Sequence, residues 1–246
     1  MRFSTATTLS ALLAIGSVSA SVLPRVLDNY DLAQPVAFEQ REVAPTPAPA
    51  VEEREVPILQ CAETPIKIGQ LKLASASGRE VSAAFEGLRN ADGFQKLDVQ
   101  KAGQSARFEN FAFTACNSTF LGYLPEANKA AEVTYGRLQP AHLVGRRCVS
   151  ADKLATADGR LIAAKCDPSD DSVQLTQFWS LTKQPAAEAD KWEYYVNFLG
   201  SPAGETPDFP GSYTLSLAHK GANKLVQLNH SDEPGRRSAY YLKLDS

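Results

Sequence analysis

The chain has 246 residues, 43 % of them hydrophobic and 22 % charged, which is the composition of an ordinary globular protein. This length allows one large domain or two small ones. The formal net charge is −3, so the sequence lacks the basic surplus with which nucleic-acid-binding proteins attract phosphates, and no nucleic acid partner is expected.

The N-terminus has the three parts of a secretory signal peptide in order. Arg2 supplies the positive charge, Thr8 to Val18 form a mostly apolar segment, and Val18-Ser19-Ala20 is the small-residue pattern that precedes cleavage. A buried helix or a membrane anchor is the alternative, but the segment is shorter than the roughly 20 apolar residues that cross a bilayer. We expect residues 1–20 to be removed and the protein to be secreted, extracellular or in a cell wall, with no membrane span.

The segment that follows differs in composition from the rest of the chain. Residues 21–57 are rich in proline, with the run Pro45-Thr46-Pro47-Ala48-Pro49, and become acidic near their end. Proline removes backbone donors and favours extended conformers, so no packed core is expected here. The sequence predicts a disordered leader over 21–57 and a folded domain over 58–246.

Four cysteines follow the signal peptide: Cys61, Cys116, Cys148 and Cys166. An even number in a secreted chain indicates two disulfides. Three pairings are possible, and Cys61–Cys116 with Cys148–Cys166 is favoured because neighbours in sequence close the smaller loops. A zinc site is the rival interpretation, but C-x-x-C is absent and no histidine lies at ligand spacing from a cysteine. We expect no metal and no cofactor.

Two sequons accompany the signal peptide. They are Asn117-Ser118-Thr119 and Asn229-His230-Ser231, and each has a non-proline middle residue. Asn117 and Asn229 are therefore the predicted sites of N-glycosylation.

Short apolar runs alternate with turn signals from residue 58 onward. Hydrophobicity has a period of two in 66–73, 213–217 and 241–244, and turns are indicated by Asp92-Gly93 and Asp158-Gly159. Many short strands at such spacing predict an all-β barrel or sandwich. Two weak helix candidates interrupt the pattern, at 125–133 and 182–190.

Three stretches repeat one order of parts: an apolar strand with a leucine, a polar turn and an aromatic strand. They are 95–100 with 107–111, 159–164 with 177–181, and 223–228 with 239–244. Their aromatic anchors are Phe108, Phe178 and Tyr240. Three similar units predict a pseudo-threefold fold in which each unit donates an apolar wall to a shared core.

The middle unit resembles one repeat of the ricin B-chain type. Cys148, Asp158-Gly159, Cys166 and then Gln177-Phe178-Trp179 follow the family's pattern of an intra-repeat disulfide and Gln-x-Trp, over residues 148–182. The resemblance implies a β-trefoil-like barrel, six strands capped by three hairpins. It also implies that Trp179 is buried with its N–H bonded and that Gln177 bridges backbone groups.

The family's sugar site is only partly matched. It uses an acidic residue after the first cysteine, an aromatic platform before the second and an Asn beside the motif Gln. Those positions hold Ser150, Ala164 and Thr176 here, so the pocket is expected to be degenerate. The predicted carbohydrate-binding residues are Asp152, which is close to the acidic position, Gln177 and Tyr195.

Tyr195 belongs to an aromatic cluster with Trp192, Tyr194 and Phe198. In a strand, Trp192 and Tyr194 share one face and Tyr195 has the opposite one. One face is expected to pack in the core. If Tyr195 is exposed, its ring is a candidate platform for a sugar or wall polymer.

No sequence motif indicates catalysis. G-x-S-x-G is absent, and Asp170-Asp171 is explained by a polar turn before a strand. We expect a secreted, disulfide-stabilised, non-enzymatic β-trefoil-like protein with a lectin-like function, whose partner is extracellular carbohydrate or a cell-wall polymer. Such a protein resembles the small secreted proteins of fungi. The alternatives are a wall-associated or effector-type structural protein, a protease inhibitor that uses the loop 200–211, and, least favoured, a hydrolase.

Overall fold

The computed structural model describes residues 55–99, 110–129, 132–204, 210–220, 223–233 and 238–245. These residues form thirteen β-strands with three short 3-10 helices and no α-helix, so the predicted all-β fold is confirmed. The predicted signal peptide, nearly all of the predicted leader, the anchor Phe108 and residues 205–209 of the loop 200–211 lie outside the described residues.

The strands are β1 (Gln60–Cys61), β2 (Lys67–Ser75), β3 (Glu80–Arg89), β4 (Gln95–Val99), β5 (Asn110–Asn117), β6 (Val133–Pro140), β7 (Arg147–Ala151), β8 (Gly159–Lys165), β9 (Trp179–Pro185), β10 (Trp192–Phe198), β11 (Ser212–Lys220), β12 (Asn223–Ser231) and β13 (Tyr240–Asp245). The 3-10 helices are Ala127–Lys129, Ala141–Leu143 and Ser172–Thr176. All strand pairings are antiparallel.

The three runs of alternating hydrophobicity lie in β2, β11 and β13, as predicted. In β2 the side chains of Leu71 and Leu73 are fully buried while Gln70 is exposed, which is the period expected of a strand with one face on a core. Both helix predictions are wrong. In the first stretch one turn of 3-10 helix forms before β6 begins, and in the second β9 continues to Pro185, because strand pairing outweighs the weak helix propensity of short alanine-rich segments.

Six of the longer strands pair in a series that returns to its start. The pairs are β2 with β5, β5 with β6, β6 with β9, β9 with β10, β10 with β13, and β13 with β2. The pairing is uneven, since β10 and β13 share only Tyr195↔Lys243 and Val196↔Leu242 whereas β9 and β10 pair along their whole length. Within the series, β10 and β13 are therefore the neighbours that share the fewest residue pairs.

The other long strands form three hairpins, β3–β4, β7–β8 and β11–β12. The second strands of the hairpins also pair with one another, through Lys96↔Ile162, Leu225↔Asp98 and Gln227↔Arg160. Each of these strands contributes a buried leucine, and the leucines are evenly spaced along the chain, at positions 97, 161 and 225. The three Leu-containing strands of the predicted repeats thus meet in space.

The main core contains side chains from every long strand. Its largest fully buried members are Leu71, Phe85, Phe111, Phe113 and Trp179. Burying one such side chain stabilises the fold by about 1.5–3 kcal/mol relative to its exposed state. Gly136 in β6 lets two strands approach closely, because a Cβ there would lie 2.0 Å from the Thr114 carbonyl oxygen.

A second, smaller core lies beside the first. The ring of Tyr123 stacks between Tyr135 and Phe178, with centroid distances of 4.3 and 5.7 Å. Leu59 is also buried in this cluster, and its backbone N–H donates to the Pro168 carbonyl at 2.8 Å. Residues just before β1 are therefore packed into the domain.

The part of the chain that the structure describes contains no helix long and apolar enough to span a bilayer.

Candidate functional site

The Gln-x-Trp residues are held by backbone hydrogen bonds. The amide Nε2 of Gln177 donates to the Lys165 carbonyl at 2.9 Å, and its Oε1 accepts from the Asp167 N–H at 3.1 Å. The indole Nε1 of Trp179 donates to the Val149 carbonyl at 2.9 Å, with the side chain fully buried. These bonds satisfy polar groups that would otherwise be costly to bury. Both side chains therefore have the structural roles expected of them.

Both predicted disulfides form. Cys61 of β1 is bonded to Cys116, which lies directly opposite it on β5. Cys148 of β7 is bonded to Cys166, which follows β8, so this bond closes the middle hairpin. Disulfides are typical of proteins that fold in an oxidising compartment.

Two of the three positions at which the resemblance implies a sugar pocket are bonded to each other. The hydroxyl of Ser150, a buried residue, donates to the Thr176 carbonyl at 3.2 Å. Asp152 closes the β7–β8 turn, since its Oδ1 accepts from the Arg160 N–H at 2.6 Å. The polar groups in this region are thus used within the hairpin and its neighbour.

Tyr195 lies on the outer face of β10, where it contacts one residue of its own strand and one of β13. Its hydroxyl donates to the Glu193 carboxylate, and its ring centroid is 5.3 Å from that of Tyr241. The hydrogen bond to the Glu193 carboxylate, with burial, raises the pKa of Tyr195 to about 12. Lys243 donates to Glu193 at 2.7 Å and to Glu80 at 3.1 Å. We call this half-exposed surface of two tyrosines and paired charges the Tyr195 face.

The three predicted carbohydrate-binding residues are not gathered into one site. Asp152 lies in the β7–β8 turn, Gln177 follows the helix Ser172–Thr176, and Tyr195 is on β10. Each has its own hydrogen-bond partners, and Gln177 is only 3 % exposed. Asp152 and Tyr195 are both half-buried, and Tyr195 is the one of the three that has an aromatic ring.

Both predicted glycosylation sites are described. Asn117 ends β5, and its Oδ1 accepts from Asn128 Nδ2 at 2.9 Å. Asn229 lies in β12, and its Nδ2 donates to the Ser216 hydroxyl at 2.8 Å. Both side chains are half-buried.

Asp170 has a role that the sequence does not reveal. Its carboxylate accepts from the hydroxyls of Ser118 and Thr119 and, at 2.7 Å, from the Thr119 N–H. Burial raises the pKa of this carboxyl, but the hydrogen bonds from Ser118 and Thr119 outweigh that effect and hold the pKa below its ordinary value. The neighbouring Asp171 caps the short helix through Val173. The polar turn expected at these two positions is present, and Asp170 in addition anchors a loop about fifty residues away in sequence.

A groove of about 660 Å³ lies over this loop. Among its lining residues are Val56, Ile58, Leu124, Asn117 and Asp170. Ile58 is 74 % exposed, and Val56 and Leu124 are also exposed. We call this feature the N-terminal groove.

Two further cavities lie beside hairpins. The β3–β4 cavity, of about 300 Å³, lies between that hairpin and the connection from β6 to β7, and the β11–β12 cavity, of about 230 Å³, lies between its hairpin and the connection from β2 to β3. No sequence motif indicates either one, because their walls come from segments far apart in the chain.

Within the described ranges no group of three or more His, Cys, Asp or Glu side chains is arranged to hold a metal ion. No known family model matches the chain, and no curated protein shows significant similarity to it.

Proposed function

We propose that the chain is a secreted β-trefoil protein of the lectin-like type that binds an extracellular carbohydrate. The observation that carries the proposal is the pairing scheme, in which six strands form a returning series and three hairpins meet through their second strands. A six-stranded barrel capped by three hairpins is the arrangement that the resemblance of residues 148–182 implies.

The bonds of Gln177 and Trp179 support the same fold. In a β-trefoil of this type they join the end of one repeat to its own hairpin, and here both side chains contact backbone groups of β7, β8 and the segment after β8. The evenly spaced leucines at 97, 161 and 225 support three related units.

The Tyr195 face is the carbohydrate-contacting surface that we propose. An aromatic ring offers an apolar surface for the C–H face of a sugar, while flanking charged and hydroxyl groups can bond its hydroxyls. The pair Tyr195 and Tyr241 with Glu193 and Lys243 provides both kinds of group side by side. The pocket that the resemblance implies is a weaker candidate, because Ala164 stands where its aromatic platform would be and Ser150 is buried.

A glycan array probed with the full chain, purified from the medium of a secreting host, tests this function. We expect saturable binding to a subset of glycans, lost in Tyr195→Ala and kept in Tyr195→Phe, which retains the ring. Phe120→Ala removes another exposed ring and is the matched control. Silence across the array would reject the proposal.

One alternative has structural support. The Ser150–Thr176 bond is compatible with a fold kept as a stable scaffold in a wall-associated or effector-type protein. Fractionation separates the two functions, because a scaffold protein stays with the wall in the presence of competing sugars whereas a lectin is released by its ligand.

A further inference from the structure

The β3–β4 and β11–β12 cavities have the same kinds of lining residue although they are built from different segments. Each has two cationic side chains: Arg89 and Arg147 in the first, Arg79 and Lys224 in the second. Neither is lined by an Asp or Glu among the described residues. The net charge of the chain is −3, so two cavities whose charged lining residues are all cations differ from the average surface.

The acidic residues adjacent in sequence are bonded elsewhere. Glu80, next to Arg79, accepts from Lys243 at 3.1 Å, and Asp92, next to Gly93, accepts from Asn90 at 3.2 Å. The described residues place no carboxylate within ion-pair distance of Arg79 or Lys224. Both of these side chains are exposed, so their charges are available to a ligand.

Each cavity also has apolar and aromatic lining residues. In the β11–β12 cavity Val81, Val99 and Leu217 are half-buried against the main core, and the ring of Tyr240 lies beside them. In the β3–β4 cavity the lining includes Phe85 and Ala163, and the guanidinium of Arg147 lies 5.8 Å from the ring centroid of Phe94. A ligand that fits must therefore combine an apolar face with negative charge.

Strand register relates the two cavities. The first includes Ala163 of β8 and the second Val99 of β4, and each is two residues beyond one of the evenly spaced leucines, Leu161 and Leu97. Val99 pairs with Ala83 on β3 as Ala163 pairs with Val149 on β7. Equivalent positions of two hairpins thus line one cavity each, which is the relation expected of repeats.

We propose that both cavities bind one acidic sugar residue each, a pyranose that carries a carboxylate or sulfate group. This inference rests on the carbohydrate binding proposed above and assigns it an acidic ligand class at sites separate from the Tyr195 face. The guanidinium and ammonium groups bind the anion through charge-assisted hydrogen bonds, and the apolar lining packs against the C–H face of the ring.

The size of the cavities fits a single ring. Volumes of about 230 and 300 Å³ lie at or below the roughly 300 Å³ at which pockets for drug-sized ligands begin. In the β11–β12 cavity the hydroxyls of Ser75 and Ser77, 2.9 Å apart, lie at the rim and can exchange hydrogen bonds with ring hydroxyls.

Titration calorimetry with two matched ligand pairs tests the proposal. The pairs are polygalacturonate with its methyl ester, and dextran sulfate with dextran, each measured on the full secreted chain at about 0.15 M salt. We expect the acidic member of at least one pair to bind about tenfold or more tightly than the neutral one. In Arg79→Gln/Lys224→Gln and in Arg89→Gln/Arg147→Gln the advantage falls severalfold, and in the combined variant it disappears.

Lys153→Gln/Lys191→Gln is the control for net charge. Both lysines are exposed and line neither cavity, and the variant loses the same two positive charges. Its affinity for the acidic ligand should stay within about twofold of wild type, because screened surface charges contribute little. An equal loss in this control would overturn the assignment of the cavities. Should Arg147→Gln unfold the protein, the exposed pair Arg79 and Lys224 keeps the test decisive.

The outcomes separate this inference from the proposed function. Binding of neutral glycans with no preference for acidic ones rejects the acidic sugar sites and leaves the lectin-like function standing. Absence of binding to every glycan rejects both. Full displacement of the acidic ligand by an equal concentration of inorganic sulfate means that the cavities bind bare anions, and it overturns the sugar assignment.

Discussion

The indole N–H of Trp179 donates to the backbone carbonyl of Val149, 2.9 Å away, and so joins the start of β9 to the middle of β7. Trp179→Phe removes this bond and leaves both a cavity and an unpaired buried carbonyl. We expect a loss of about 2–4 kcal/mol in the free energy of unfolding, measured by urea denaturation.

Trp192→Phe is the matched control, since Trp192 is 51 % exposed and lies at the start of β10. Its substitution should change stability by no more than about 0.5 kcal/mol. Equal losses in the two variants would show that Trp179 is not the core residue that its bond implies.

Much of the local structure can be predicted from the sequence, because burial on one face of a strand imposes its period on the residues. The alternation at 66–73 predicts β2, and the leucines at 97, 161 and 225 lie in the strands expected of three repeats. The pairing of β13 with β2 cannot be predicted in this way, since its register depends on packing between opposite ends of the domain. The segment 125–133 has a helical composition, but residues 127–129 form one turn of 3-10 helix and β6 begins at Val133.

The candidate site could likewise be predicted only where a residue's partners are close in sequence. The roles of Gln177 and Trp179 follow from a motif whose partners lie within one repeat. The anchoring role of Asp170 could not be predicted, because it depends on hydrogen bonds from Ser118 and Thr119, which only the fold brings close to it. The cations at 79 and 224 likewise become neighbours of one cavity only when β2, β3, β11 and β12 assemble.

The two disulfides should differ in their contribution to stability. Cys148–Cys166 spans 18 positions and Cys61–Cys116 spans 55. In the chain-entropy treatment the cross-links stabilise the fold by about 3 and about 4 kcal/mol, because the longer loop restricts the unfolded chain more. Replacing both cysteines of each pair by alanine, with unfolding followed in denaturant, should give the larger loss for Cys61–Cys116. The reverse order would mean that packing around Cys148 outweighs loop closure.

Glycosylation at Asn117 should shield the N-terminal groove. Asn117 lines that groove together with the exposed side chains of Val56 and Ile58, and exposed apolar patches promote association. We expect Asn117→Gln to lose the mass of one glycan in intact-protein mass spectrometry and to bind more of a dye specific for apolar surface. Asn229→Gln, the control, should lose a glycan without the change in dye binding. An unchanged mass in Asn117→Gln would show that Asn117 carries no glycan, and the prediction would then be wrong.

The buried carboxylate of Asp170 should make the domain sensitive to acid. Because its pKa is held below the ordinary value, its contribution is complete above about pH 4, where an unfolded aspartate ionises, and is lost as the pH falls through the lowered pKa. Asp170→Asn places an amide N–H₂ or a neutral oxygen opposite the Ser118 and Thr119 donors. We expect it to cost about 1.5–3 kcal/mol at pH 7, the range for hydrogen bonds to charged groups.

Urea denaturation at pH 7, 5 and 3 measures this effect. The difference between wild type and Asp170→Asn should be largest at pH 7 and smaller at pH 3, where the aspartate of the unfolded chain is largely protonated. Asp158→Asn, at an exposed position in the β7–β8 turn, should follow wild type at each pH. The stability difference between wild type and Asp170→Asn could instead be independent of pH. In that case the loop 118–120 would require the shape of the Asp170 side chain and not its charge.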